Sequence, residues 1–233
     1  FYFINLIVYK YLYRFSYKII CTSYDMKIKL IDLLGKKIEN KVNVINNFVD
    51  NEENIKKIRL ITKTKNKKRL ILTAIGRLHF QKGFDRLIKH FINFKYHDTL
   101  LLIIGEGKEK ENLLKLIKQN KVKNIKILKA KKNILFWLFE SDYFVLSSRW
   151  EGMPNVVIEA LDCGTKIIDF SNLKQMNELY SKLDTSSYIK SSFDNKLDEN
   201  ILIKKNRHQH KSLLPHYFKI DQNIKKLEML IND

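Results

Sequence analysis

Little in this 233-residue sequence bends or bridges the chain. Seven glycines and two prolines exclude collagen-like and low-complexity architectures. Two cysteines, Cys21 and Cys163, occur in no C-x-x-C pair. They make no disulfide framework and no structural zinc site, and they fit a reducing compartment. Long apolar runs are missing too. The most apolar stretch, FYFINLIVYKYLYRFSYKIIC at the start, is broken by Lys10, Arg14 and Lys18, and its longest uncharged run is nine residues. A bilayer span needs about 20.

What the sequence does have is core-forming material and positive charge. It is 45% hydrophobic, which excludes wholesale disorder. Lys and Arg number 44 against 25 Asp and Glu, a net charge of +19. Such a charge reports either an anionic partner (nucleic acid, an anionic membrane face, a phosphorylated substrate) or a bias spread over the whole surface, so placed motifs must decide. The chain starts at Phe1 and its first methionine is Met26, so its natural start is expected to be missing. Lys10, Arg14 and Lys18, four apart, lie on one helical stripe, so residues 1–18 read as an amphipathic helix. Such a helix lies on a membrane or packs on protein beyond this chain.

Further along, KIICTS (18–23) reads as a short buried strand, with Ser23 capping a helix over 24–34 that Gly35 stops. VNVI (42–45) gives another strand. Residues 51–69 hold eight Lys or Arg against two Glu and read as a linker. From residue 69 the texture changes. Apolar strands at 69–76, 99–105, 124–128, 143–148 and 165–170 alternate with helical segments at 82–95, 108–120, 133–139 and 155–163. The strands are apolar throughout, as in a parallel sheet covered on both faces. This is a doubly wound, Rossmann-like α/β arrangement, in which ligands bind outside the carboxyl ends of the strands. Residues 171–214 are polar and poorly periodic, and 220–231 reads as a terminal helix.

Two stretches at strand ends carry chemistry. SSRWEGMPNVVIEALDCG (147–164) holds Glu151 and Glu159, separated by seven residues. Pro154 suits the first turn of a helix and Gly164 its stop. Glu151 then sits at the helix mouth beside the backbone N–H groups of 152–156, and Glu159 lies a turn inside. Amides at a helix start bind phosphate, and ionised carboxylates accept from hydroxyls. Together they describe a sugar-nucleotide site, although two glutamates alone would read as surface charges. In GRLHFQKGFDRLI (76–88), Arg77 and Lys82 flank a turn between strand and helix. Two cations there can neutralise a departing pyrophosphate. GEG (105–107) is a single turn and not G-x-G-x-x-G, so nicotinamide binding has little support.

In order and spacing these stretches resemble the C-terminal, donor-binding half of the retaining family-four glycosyltransferases of GT-B fold. The matching pieces are GR-x-x-x-x-KG-x-D (76–85), IIGEG (103–107), KKNI (131–134) and SDYFVLSSRWEGMPNVVIEALDCG (141–164). CTSYDMK (21–27) and VINNFVD (44–50) resemble the end of that family's N-terminal domain. The resemblance covers about 18–170. It implies a doubly wound GT-B half plus a remnant of the other half: 1–50 from the acceptor domain, 51–68 a linker, 69–214 the donor domain, 215–233 a C-terminal helix.

By the same resemblance, Arg77 and Lys82, with Gly76 in their turn, grip the donor diphosphate. Glu151 stands near the transferred sugar, and Glu159 takes the ribose hydroxyls. The amides of Gly152, Met153, Asn155 and Val156 meet sugar and phosphate, and Lys132 and Asn133 wall the base pocket. No metal and no cofactor beyond the nucleotide sugar, UDP first and GDP next, is expected. The scattered histidines, His208 and His210 included, form no metal set. The expected acceptor is a surface glycan or a lipid-linked sugar. The protein would work in the cytoplasm, peripherally at the inner membrane face, with no specific nucleic acid. The alternative is a truncated, inactive nucleotide-binding module. One departure stands out: where relatives carry a Gly-Gly-Pro-x-Glu-like stretch, this chain has SNLKQMNEL (171–179), which puts the far side of the donor site in question.

Overall fold

The alternation of apolar strands and amphipathic helices becomes a six-stranded, wholly parallel sheet in the computed structural model, which describes residues 11–13, 15–61, 69–94, 96, 98–130, 133–203 and 211–232. A first strand, β1 (Ile19–Cys21), leads into helix α1 (Tyr24–Leu34), β2 (Val42–Val44) and α2 (Glu52–Ile61). Then follow β3 (Leu70–Ile75), α3 (Phe84–Phe94), β4 (Thr99–Ile104), α4 (Lys110–Gln119), β5 (Ile125–Leu128) and α5 (Ile134–Glu140). The chain continues through β6 (Tyr143–Leu146), α6 (Asn155–Asp162), β7 (Lys166–Asp169), α7 (Met176–Tyr180), β8 (Tyr188–Lys190) and α8 (Ile220–Asn232).

The large sheet has the order β5-β4-β3-β6-β7-β8. The chain winds outward from β3 to β5, then returns to pair β6 on the other side of β3. That reversal is a topological switch point, and it opens a crevice at the carboxyl ends of β3 and β6. All six residues of β3 and all four of β6 are buried, as expected of strands covered on both faces.

Each face has its own core. In α3, Phe84, Leu87, Ile88 and Phe91 recur at helical spacing and are buried with Leu72, Leu101 and Ile103 of the sheet and Leu113 of α4. On the opposite face Leu135, Leu138, Val157, Ile158 and Leu161 of α5 and α6 pack with Ile71, Phe144 and Phe218. Full burial of one such side chain stabilises by about 1.5–3 kcal/mol.

Three features differ from the sequence reading. Residues 52–61 form helix α2, where a linker is expected over 51–68. Its lysines mask an amphipathic pattern in which Ile55 and Ile58 are buried in the α5/α6 core, while Lys56 turns outward to pair with Glu52 at 2.8 Å. The polar stretch 171–214 contributes α7, the sixth strand β8 and the buried residues Leu197, Leu202 and Leu214. Of the helix expected over 1–18, residues 11–13 and 15 are helical, while 1–10 and 14 lie outside the described residues, as do His208 and His210.

The small lobe is a parallel pair, β1 with β2, around Ile19, Cys21, Ile38 and Val42. Ser23 caps α1 by accepting from the Met26 N–H at 3.2 Å, and Gly35 ends it at φ 93°. Among the hydrogen bonds that fasten this lobe to the large one, the Val49 N–H donates to the Phe218 carbonyl at 3.3 Å, and two more involve side chains. The Tyr24 N–H donates to Glu178 Oε2 at 3.1 Å, and Asn47 Nδ2 donates to the Met153 carbonyl at 2.8 Å.

Candidate functional site

The crevice has a floor made by the turns after β3 and β4. The Gly76 N–H donates to the Ile104 carbonyl at 3.0 Å, and the Leu78 N–H donates to the Glu106 carbonyl at 2.8 Å. The two turns approach so closely that a Cβ on Gly105 would land on the Gly76 carbonyl oxygen. Only glycine permits that approach. Lys82 lies across this floor: a Cβ on Gly76 would come within 2.9 Å of Lys82 Cε.

The wall comes from the segment after β6, which is sewn to the turn after β3. Ser147 Oγ donates to the Lys82 carbonyl at 2.8 Å, and the Arg149 N–H donates to the Gln81 carbonyl at 2.7 Å. The Arg149 guanidinium grips both oxygens of Asp85 at 2.8 and 2.7 Å and lies over the Phe80 ring at 3.7 Å. Burial alone would push the Asp85 carboxyl up, but hydrogen bonds and charge from Arg149 outweigh it and hold the carboxyl low. Arg86 Nη2 donates to the Ser147 carbonyl at 2.9 Å. Gly83, at φ 66°, takes the left-handed backbone that this turn needs.

These contacts bring together two residues 69 positions apart in sequence. Lys82 Nζ donates to Glu151 Oε1 at 2.6 Å, and the side chains are only 17% and 11% exposed. Ser148 Oγ donates to the same oxygen at 2.8 Å. Glu151 stands just before α6, whose first residue is Asn155 and whose N-cap position is Pro154, one place earlier than the first-turn expectation. Gly152 and Asn155 are exposed, Val156 is half-buried and Met153 is buried. Glu159 lies one turn inside α6, where burial pushes its carboxyl up.

The remaining candidates are more scattered. Arg77 is exposed on the turn after β3 and Gly76 is half-buried there. Asn133 is exposed at the start of α5, and its Oδ1 caps that helix by accepting from the Leu135 N–H at 3.0 Å. Lys132 lies outside the described residues.

Besides the residues that sew the wall to the turn, Ser148, Asn47 and Gln175 touch the glutamate loop without being named by the sequence reading. Gln175 belongs to SNLKQMNEL and is buried, with Nε2 donating to the Glu151 carbonyl at 2.5 Å. That stretch, read as a departure, supplies a direct contact to the glutamate loop. A serine three residues before Glu151 is the one signal the sequence offered. Among the described residues, no cluster of three or more His, Cys, Asp or Glu side chains is assembled, and no helix is long and apolar enough to cross a membrane.

A crevice with a cation and a carboxylate at a helix mouth can receive a phosphorylated, hydroxyl-bearing ligand. Comparison with known proteins gives the family. Residues 50–208 match the model of a family described as glycosyl transferases group 1. An uncharacterized glycosyltransferase of Methanocaldococcus jannaschii is 36% identical over 172 residues, 71% of this chain and 42% of that protein. The UDP-Gal:alpha-D-GlcNAc-diphosphoundecaprenol alpha-1,3-galactosyltransferase of Escherichia coli is 36% identical over 171 residues, 68% of this chain and 41% of that protein. The chain thus spans about two fifths of each relative's length. Among solved structures, Anabaena HepE in complex with UDP and glucose superposes with a TM-score of 0.75 at 16% identity, covering 98% of this chain and 67% of that one. The parallel six-stranded arrangement is therefore of the GT-B glycosyltransferase type.

Proposed function

The chain belongs to the group 1 glycosyl transferases, and from that premise we propose that its crevice binds a nucleoside-diphosphate sugar, UDP-linked in preference to GDP-linked, for transfer to a glycan or lipid-linked acceptor. The observation that carries this reading is the Lys82–Glu151 pair at the mouth of α6, 2.6 Å apart and shielded from solvent. Support for UDP comes from the name of the Escherichia coli relative and from the ligands of Anabaena HepE. Support for a lipid-linked acceptor comes from that same Escherichia coli name.

In this reading Lys82 and Arg77 meet the diphosphate, and the amides at the start of α6 join them as charge builds on the leaving group. Glu151 orients the sugar and Glu159 accepts from the ribose. The protein's cations rather than a metal ion balance the diphosphate, so a chelator leaves binding unchanged. The sugar is transferred with retention of its anomeric configuration, as in family four, and the protein sits peripherally at the membrane that bears its acceptor.

Titration of UDP and GDP into the protein, followed by its amide spectrum, tests the reading. Gly152, Asn155 and Val156 are expected to shift, UDP acting at lower concentration than GDP. Replacing Arg77 or Lys82 with Ala should weaken UDP binding by about 1.5–3 kcal/mol each, the range for hydrogen bonds to charged groups, and leave uridine binding nearly unchanged. No response at millimolar nucleotide overturns the reading. Equal losses for UDP and uridine would mean that the two cations act through folding.

A further inference from the structure

Glu151 is held at both of its ends. Its carboxylate is fixed by Lys82 and Ser148, as described. Its backbone carbonyl accepts from Gln175 Nε2 at 2.5 Å. Gln175 comes from the loop between β7 and α7 and is 6% exposed, so this amide is committed to the inside of the molecule. Two residues on, the Met153 carbonyl accepts from Asn47 Nδ2 at 2.8 Å. The exposed Gly152 lies between these two fastened carbonyls.

The peptide unit joining Glu151 and Gly152 is planar and trans, since the described chain has no cis bond. In such a unit the carbonyl and the following N–H point in opposite directions. Turning the Glu151 carbonyl toward Gln175 therefore turns the Gly152 N–H to the opposite side of that peptide, and Gly152 itself is exposed. Without a clasp this peptide would rotate more readily than any other in the loop, because glycine has the widest backbone freedom. A donor that is already oriented costs no reorganisation when charge arrives.

We infer that Gln175 is a positioning residue, which aims the Gly152 N–H at the phosphorylated ligand by holding the Glu151 carbonyl, with Asn47 as the second half of the clasp. The inference rests on the nucleotide-sugar reading of this site. It also gives SNLKQMNEL a purpose. A glycine pair at this place, which the family resemblance leads one to expect, would have no side chain to reach across; the glutamine does.

The test uses Gln175→Met, which keeps the length of the side chain and removes its donor, and Gln175→Glu, which turns the donor into an acceptor. In the ligand-free protein the heteronuclear NOE of the Gly152 amide should fall in both variants, with thermal melting of Gln175→Met close to wild type. UDP affinity should drop about tenfold, the scale of one hydrogen bond to a charged group, and uridine affinity should not. In Gln175→Glu both effects should reverse as the pH is lowered and the carboxyl regains a proton to donate. An unchanged Gly152 amide in both variants, or UDP affinity within about twofold of wild type, overturns the inference. If the wild-type protein binds no nucleoside diphosphate, the functional reading fails, and the ligand-free Gly152 measurement still decides the positioning role.

Discussion

Two glutamates with seven residues between them meet different physics. Glu151 has an ammonium and a hydroxyl on one carboxylate oxygen. Glu159 is half-buried, and desolvation pushes its carboxyl above the ordinary 4.5. The sign of the consequence follows from linkage. Between the unfolded and the raised folded value the folded protein holds the extra proton. The stabilising contribution is complete below the unfolded value and is lost as pH rises through the folded one. Glu159→Gln should therefore melt at a higher temperature than wild type at neutral pH, with the difference vanishing toward pH 4, and should bind UDP more weakly. Thermal melts across pH check the first part. A variant that melts lower at neutral pH would reveal a favourable partner for the carboxylate. At this scale the sequence is legible where residues follow the strand ends, as at Lys82 and Glu151, which the structure pairs. It is silent where a side chain reaches a backbone carbonyl: Gln175 and Glu151 are 24 positions apart and Asn47 and Met153 are 106, and no periodicity encodes such contacts.

At the scale of elements, the five central strands and their helices are readable because each buries a continuous or periodic apolar run. Three elements, α2, α7 and β8, are not readable, and α2 and β8 fail for opposite reasons. In β8, three residues at the sheet edge are only partly covered, and they sit in a polar stretch with no apolar run to announce them. In α2 the apolar signal exists, but Ile55 and Ile58 stand beside Lys56, Lys57 and Arg59 at the head of a stretch with eight Lys or Arg. The helix is tested by Ile55→Ala, which should cost about 2–5 kcal/mol through lost burial and the cavity left against α5, read as a lower urea midpoint at unchanged slope. A residue in a free linker would shift nothing.

For the whole molecule the governing quantity is the charge of +19. Exposed lysines stand on more than one element, among them Lys29 on α1, Lys56 on α2 and Lys129 after β5, each beside a carboxylate. Charge distributed in this way attracts polyanions without reading them. Binding to duplex DNA should fall steeply with salt and be the same for unrelated sequences, as fluorescence anisotropy at several ionic strengths would show. Tight, sequence-selective binding at physiological salt would instead demand a built interface.

The approach of Gly105 to Gly76 has a consequence at the level of the gene. A protein so rich in lysine, isoleucine and asparagine draws heavily on codons built from A and T, whereas every glycine codon opens with two G. A change to A or T at either of those bases replaces glycine with a residue that carries a Cβ or, in one case, with a stop. At position 105 that first atom lands on a carbonyl oxygen of the crevice floor. A base change that costs position 105 its glycine is therefore felt first as a steric clash in the crevice floor.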